Sequence, residues 1–143
     1  MQKLYFMFFL TIVFLFASCS NESEGLTEPP SGIYSYTSFD SSGTPIVEGI
    51  LTMTINNSQQ IIGKWDFELI GNPQNIGPQE GKGDLLGSVE QDRIWVELNP
   101  QFRDNNLQLL GTIKNNKFSG TWGWSSILGL TNHGTFEAIK VRF

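Results

Sequence analysis

Between residues 64 and 69 the chain alternates without a break. Trp65, Phe67 and Leu69 fall on one face, and Lys64, Asp66 and Glu68 on the other. Successive side chains of an extended strand point to opposite faces, so this stretch reads as a strand with one dry side and one wet side. A helix would scatter the same residues around its circumference. The pattern recurs between clusters of Gly, Asn, Asp and Pro, and no segment after residue 31 shows a capped helical apolar period. It predicts eight strands, at 32–39, 46–55, 61–70, 82–89, 93–98, 107–113, 118–124 and 134–141. Tight polar turns join several of them, one at Asn115-Asn116, and longer loops are expected at 71–81, 99–106 and 125–133.

Glycine decides what the strands build. Gly49, Gly63, Gly87, Gly111 and Gly120 each interrupt an otherwise apolar strand. Strand glycine weakens a sheet and marks a bulge or a sharp bend. Closing a sheet into a barrel needs such bends, and closure also removes the exposed edges. The expected fold class is therefore all-β, a single antiparallel up-and-down barrel of about eight strands. A weak repeat fits a hairpin meander. Leu85-Leu86-Gly87 aligns with Leu109-Leu110-Gly111, and Ile61-Ile62-Gly63 keeps the spacing upstream.

The N-terminus has a different character. Lys3 precedes an apolar run over residues 4–17, which is too short to cross a bilayer as a helix and right for a signal peptide. It ends in Phe16-Ala17-Ser18-Cys19, and Cys19 is the one cysteine of the chain. A lone cysteine in a secreted protein needs an explanation. This ending resembles the signal peptide of a bacterial lipoprotein, with Phe16 where such sequences usually carry Leu. The resemblance implies lipidation at Cys19 and a membrane anchor. Ser20 after the cysteine implies the outer membrane, and Glu22 and Glu24 resemble an acidic display signal for the cell surface. Residues 1–18 are thus read as signal peptide, 19–31 as lipidated Cys19 and a disordered tether, and 32–143 as the barrel domain. Three Glu and Pro29-Pro30 keep the tether from packing. At roughly 3.3–3.6 Å per residue it reaches up to about 40 Å. The domain itself, about 110 residues, is enough for one core.

The barrel's recurring elements are Gly63-Lys64-Trp65, Gly120-Thr121-Trp122 and Gly134-Thr135-Phe136-Glu137-Ala138. Together they resemble a lipocalin-like (calycin) barrel over roughly residues 32–141. Where lipocalins carry Gly-x-Trp on the first strand, this chain has Gly32-Ile33-Tyr34. Avidin-type barrels alternate Gly and Trp in the same way. A competing resemblance is to an outer-membrane barrel, through Phe143 with Val141 and Ile139. Against it, several strands are shorter than the roughly 9–11 residues a spanning strand needs, and Glu137 falls on the face that would meet lipid.

Chemistry is sparse. The net charge is −5 with no basic run, which disfavours nucleic acid as a partner. His133 is the one histidine, there is no Gly-x-Ser-x-Gly, and one His with scattered carboxylates makes a poor metal site. Asp66 and Glu68 alternate with apolar neighbours, so they face solvent rather than a cleft. Asp104-Asn105-Asn106 offers oxygens for a cation, but such residues commonly serve their own turns. No catalytic residue, metal or cofactor is expected. The candidate ligand contacts are Trp122, Trp124 and His133, because both Trp share a face with Phe118 and Gly120 and the 125–133 loop would flank a barrel mouth. The expected function is a non-enzymatic, envelope-anchored lipoprotein binding a small apolar or amphipathic ligand. The alternative is a solid barrel acting as a protein-interaction or inhibitor module at the cell surface. A hollow or a packed interior separates the two.

Overall fold

The computed structural model describes residues 29–142. Cys19, the signal peptide, most of the tether and Phe143 lie outside the described residues. Eight strands follow in order: β1 (Gly32–Phe39), β2 (Pro45–Ile55), β3 (Gln60–Leu69), β4 (Gly81–Glu90), β5 (Arg93–Glu97), β6 (Asn105–Lys114), β7 (Lys117–Ser126) and β8 (Gly129–Lys140). Each pairs antiparallel with the next, and β8 pairs with β1, closing the barrel. The expected fold class stands.

Alternation explains the inside. Residues Tyr34, Tyr36, Leu51, Met53, Trp65, Phe67, Leu107, Leu109, Phe118, Trp122 and Phe136 point inward and are buried. Tyr36 stacks on Phe67 with ring centroids 4.2 Å apart and planes 7° apart. Phe136 lies 5.9 Å from Tyr36 and packs edge-on against Phe118 at 4.7 Å. The interior is filled by an aromatic column, the close-packed arrangement of any stable core. Outside, Lys64, Asp66, Glu68, Lys82 and Asp84 are exposed. A spanning barrel carries a polar lumen, where this interior is apolar and aromatic.

The repeat has a structural meaning. Ile61, Leu85 and Leu109 are buried in the core, while Ile62, Leu86 and Leu110 are exposed. The third position is glycine because a Cβ at Gly63, Gly87 or Gly111 would run into the carbonyl oxygen of Thr52, Trp95 or Ser119 on the neighbouring strand. The exposed members form a band: Ile62 faces Leu86 across β3 and β4, and Leu110 faces Trp95 across β5 and β6.

The two ends of the barrel differ. At one end, short turns join β2 to β3, β4 to β5 and β6 to β7. Asn115 and Asn116 both sit at positive φ, 54° and 61°, as a two-residue hairpin turn with the sheet's own twist requires. The chain also enters here. Pro30 is buried, its carbonyl accepts the Tyr34 hydroxyl at 2.9 Å, and the Ser31 hydroxyl accepts the Ile55 amide at 3.0 Å. The folded unit thus takes in the last residues of the stretch read as tether. The other end carries the longer connections, 40–44, 70–80 and 98–104.

One expected loop is not a loop. Residues 125–133 belong to the β7–β8 hairpin, where Ser126 pairs with Gly129 and Ser125 with Leu130. Only Ile127 and Leu128 turn the chain, and both are exposed. Pairing skips Thr131, and this bulge breaks the alternation that a sequence pattern relies on. A second bulge skips Ile46 in β2, which is why Ile46 and Val47 are both buried. Both bulges lie at the loop-bearing end.

Candidate ligand site at the loop end of the barrel

Two inward positions of β1, Tyr36 and Ser38, reach this end. Trp65 and Phe67 come from β3, and Trp122 and Trp124 from β7. The indoles brace the strand ends. The Trp65 N–H donates to the Leu98 carbonyl at 2.6 Å, and the Trp122 N–H to the Phe39 carbonyl at 2.8 Å. The Trp124 N–H donates to Asn105 Oδ1 at 2.9 Å. Asn106, also buried, accepts the Asn99 amide through Oδ1 at 3.1 Å. Asn105 and Asn106 are thus strand residues engaged in framework bonds between elements, rather than serving turns of their own.

The 70–80 loop closes the end. Ile76 packs against the core, and Gly77 lies so close to Trp124 that a Cβ there would come 2.5 Å from its ring. Gly77 has φ +68°, so only glycine meets both the turn and the contact at no steric cost. The Asn132 amide donates to the Asn75 carbonyl at 2.7 Å, tying the loop to β8. Gln79 then turns its side chain into the barrel and is fully buried. Its Oε1 accepts the Ser38 hydroxyl at 3.0 Å, and its Nε2 donates to the Ile76 carbonyl at 2.7 Å.

Ser38, Gln79 and Asn106 are the buried polar side chains of the core. The Tyr36 hydroxyl is buried as well, near Ser38 but with no well-formed hydrogen bond among the described residues. Burial pushes its pKa far above the ordinary tyrosine value, and the proximity of the Ser38 hydroxyl, as a hydrogen-bonding group, acts in the opposite direction. The phenol is therefore a neutral O–H. Buried polar groups are nearly always paired, so an orphan on a ring stacked this tightly calls for an explanation. The arrangement can hold a neutral polar group against aromatic walls. It holds no basic side chain to offset a buried negative charge: every lysine and arginine of β1 to β8 is exposed or only half-buried.

Of the residues named from sequence, Trp122 and Trp124 do share the inward face and stand beneath this loop. Trp122 is wholly packed, while Trp124 is half-exposed at the rim. His133 is placed apart. It pairs with Gly123 on β8 and is exposed on the outer face. Asp66 and Glu68 are likewise outside. Sequence reading missed Tyr36, Ser38 and Gln79. Ser38 did carry a signal, as a polar residue in the inward register of Tyr34 and Tyr36. Gln79 carried none.

No protein-family model matches the chain, and no curated protein matches it. Solved structures do. The barrel is similar to bradavidin2, in a structure of its biotin complex, with a TM-score of 0.54 at 18% identity, covering 80% of this chain and 100% of that one. It is also similar to rhizavidin, again in a biotin complex, with a TM-score of 0.52 at 16% identity, covering 80% and 94%. These likenesses show the fold, a closed barrel of the same architecture as those two proteins.

Proposed function

We propose that the chain is a non-enzymatic binding protein that takes a small amphipathic ligand into the loop end of its barrel. One observation carries this reading: a buried Tyr36 hydroxyl without a well-formed hydrogen bond, beside Ser38, walled by aromatic rings and covered by a loop. A ligand site has this composition, mostly apolar with a few placed polar groups. Because the interior is filled, a ligand enters only where the 70–80 loop and Gln79 give way, and a barrel that stays shut favours the solid interaction module instead. The two similar barrels were each solved with biotin bound, and an apolar body with a polar head is the chemistry these walls accept.

Biotin is the first probe. Titration calorimetry on the purified full chain is expected to show saturable one-to-one binding, with a change in tryptophan fluorescence. No heat with biotin, and no co-purifying small molecule in native mass spectrometry, would remove the reading. The exposed band of Ile62, Leu86, Trp95 and Leu110 would then favour a protein partner on the outer face.

The proposal includes the anchor. A lipid on Cys19 would hold the protein at the bacterial outer membrane through a tether that enters at the turn end, beside Pro30. The loop end, at the opposite end of the barrel, then faces away from the bilayer. In cells fed an alkynyl palmitate, the chain is expected to take up label and sediment with membranes. Cys19→Ala should lose both properties, and a variant that keeps its label refutes the anchor.

A further inference from the structure

We propose that the tip of the β7–β8 hairpin is an insertion finger, and that Ile127, Leu128 and Leu130 seat in the interface of a lipid bilayer. This needs neither the ligand reading nor the anchor.

The tip breaks a rule that the other tight hairpins keep. Those turn on polar residues, Asn57-Ser58, Gln91-Asp92 and Asn115-Asn116, as turn chemistry favours. This one turns on Ile127 and Leu128, which are 79% and 92% exposed, and Leu130 beside them is 67% exposed. Phe102, also exposed, stands at the same end of the barrel in the 98–104 segment. A local rule broken without a local gain marks a functional site.

The surroundings of the tip fit lipid. From Phe118 to Phe136 the chain carries no Asp, Glu, Lys or Arg, and its one titratable side chain is His133, on the outer face. Arg103 and Asp104 stand just before Asn105, the β6 partner of Ser126, and would stay at headgroup level. Hydrocarbon offers no hydrogen bonds, so a segment that enters it must satisfy its own polar groups. The tip does so. Ser126 pairs with Gly129 and Ser125 with Leu130. The Ser126 Oγ accepts the Leu128 amide at 3.2 Å and the Thr131 hydroxyl at 2.9 Å. At the foot of the finger stands Trp124, half-exposed, an amphipathic ring of the kind that settles at a lipid–water boundary. A protein partner fits less well. Three side chains on a two-residue turn fall far short of the roughly 1,200–2,000 Å² that a specific protein interface buries.

A lipid on Cys19 alone would leave this end facing outward. The stretch read as tether reaches up to about 40 Å, and a strand of 10 residues such as β7 spans roughly 33 Å. An anchored barrel can therefore turn over and seat its tip in the same membrane.

The test uses the full chain with phosphatidylcholine nanodiscs that carry a spin label in the acyl region, read by methyl NMR. The signals of Ile127, Leu128 and Leu130 are expected to broaden. Those of Ile33 and Ile139, exposed at the turn end, should stay sharp. No charge drives the contact, so the broadening should persist when salt rises from about 0.05 to about 0.5 M. Leu128→Asp changes an exposed side chain and should leave the fold intact. In this variant Ile127 and Leu130 should sharpen as insertion of the tip falls at least about tenfold, the worth of one leucine side chain moved out of water. Broadening at Ile33 and Ile139 in place of the tip, which attachment through the N-terminus alone would give, overturns the finger. A tip that broadens equally in Leu128→Asp overturns it as well. So do sharp tip signals in the wild type, which would leave these residues to a protein groove.

Discussion

Tyr36→Phe is expected to make the protein more stable, by about 1–3 kcal/mol, the usual penalty of a buried hydroxyl left without a partner. The change removes one oxygen and keeps the ring, so the stack on Phe67 at 4.2 Å survives. Chemical denaturation at pH 7 would read the gain as a higher midpoint at an unchanged slope. The pH dependence gives an independent arm. Burial holds the Tyr36 phenol protonated in the folded state well beyond the ordinary value near 10. The unfolded chain ionises this group above about pH 10 and the folded chain resists. Wild-type stability is therefore fully present below that value and declines as pH rises past it, and Tyr36→Phe lacks this part of the decline. The same variant should bind the ligand less well, because it loses a hydrogen-bond donor of the site. Gained stability with lost binding is the trade-off of a residue kept for function. A variant no more stable than wild type would show that the hydroxyl has a partner after all.

Trp122→Ala should do the reverse, with the larger effect. The indole is buried, its N–H holding the Phe39 carbonyl at the end of β1, 83 residues away in sequence. Gly134 is bare so that the ring can lie against it: a Cβ there would come 2.6 Å from the indole nitrogen. Truncation leaves a large cavity and removes a brace between β7 and β1. Such changes cost about 3–5 kcal/mol, a large share of the roughly 5–15 kcal/mol that holds a domain together. For a domain of this size, thermal unfolding should fall by about 10–20 °C. Trp122→Phe should cost much less, about 1 kcal/mol for the lost hydrogen bond plus some packing. A Trp122→Ala loss below 1 kcal/mol would mean the indole is not packed as described.

What could be read in advance depended on how local the cause was. The face split of β3 was legible because strand geometry sends neighbouring side chains apart whatever surrounds them, and Trp65 and Phe67 are indeed buried while Lys64, Asp66 and Glu68 are exposed. The Leu-Leu-Gly repeat was legible for the same reason. The 125–133 segment was not. Its serines, leucines and Gly129 carry no alternation, and the bulge at Thr131 would have scrambled one. Backbone pairing between β7 and β8 made it a hairpin. His133 went with it, from a supposed rim to an outer face. Trp122 and Trp124 were rightly placed on one face, but their separate situations depend on distant groups: Trp122 packs against Phe39 and Gly134, and Trp124 meets Gly77 of the loop between β3 and β4.

The sequence by itself determined a closed β-barrel of eight strands, because period-two alternation and strand glycines act through neighbours on the chain and across one hairpin; that its interior is filled came from the tertiary structure. The tertiary structure alone decided the site. That the Ser38 hydroxyl meets Gln79, 41 residues away, and that the Tyr36 hydroxyl is buried without a well-formed hydrogen bond, are facts about which groups come within hydrogen-bonding distance in space. Serine, glutamine and tyrosine read alike in a sequence whether paired or orphaned. Hydrogen bonds act only over about 3 Å, so the path of one loop settled which of them was left waiting for a partner.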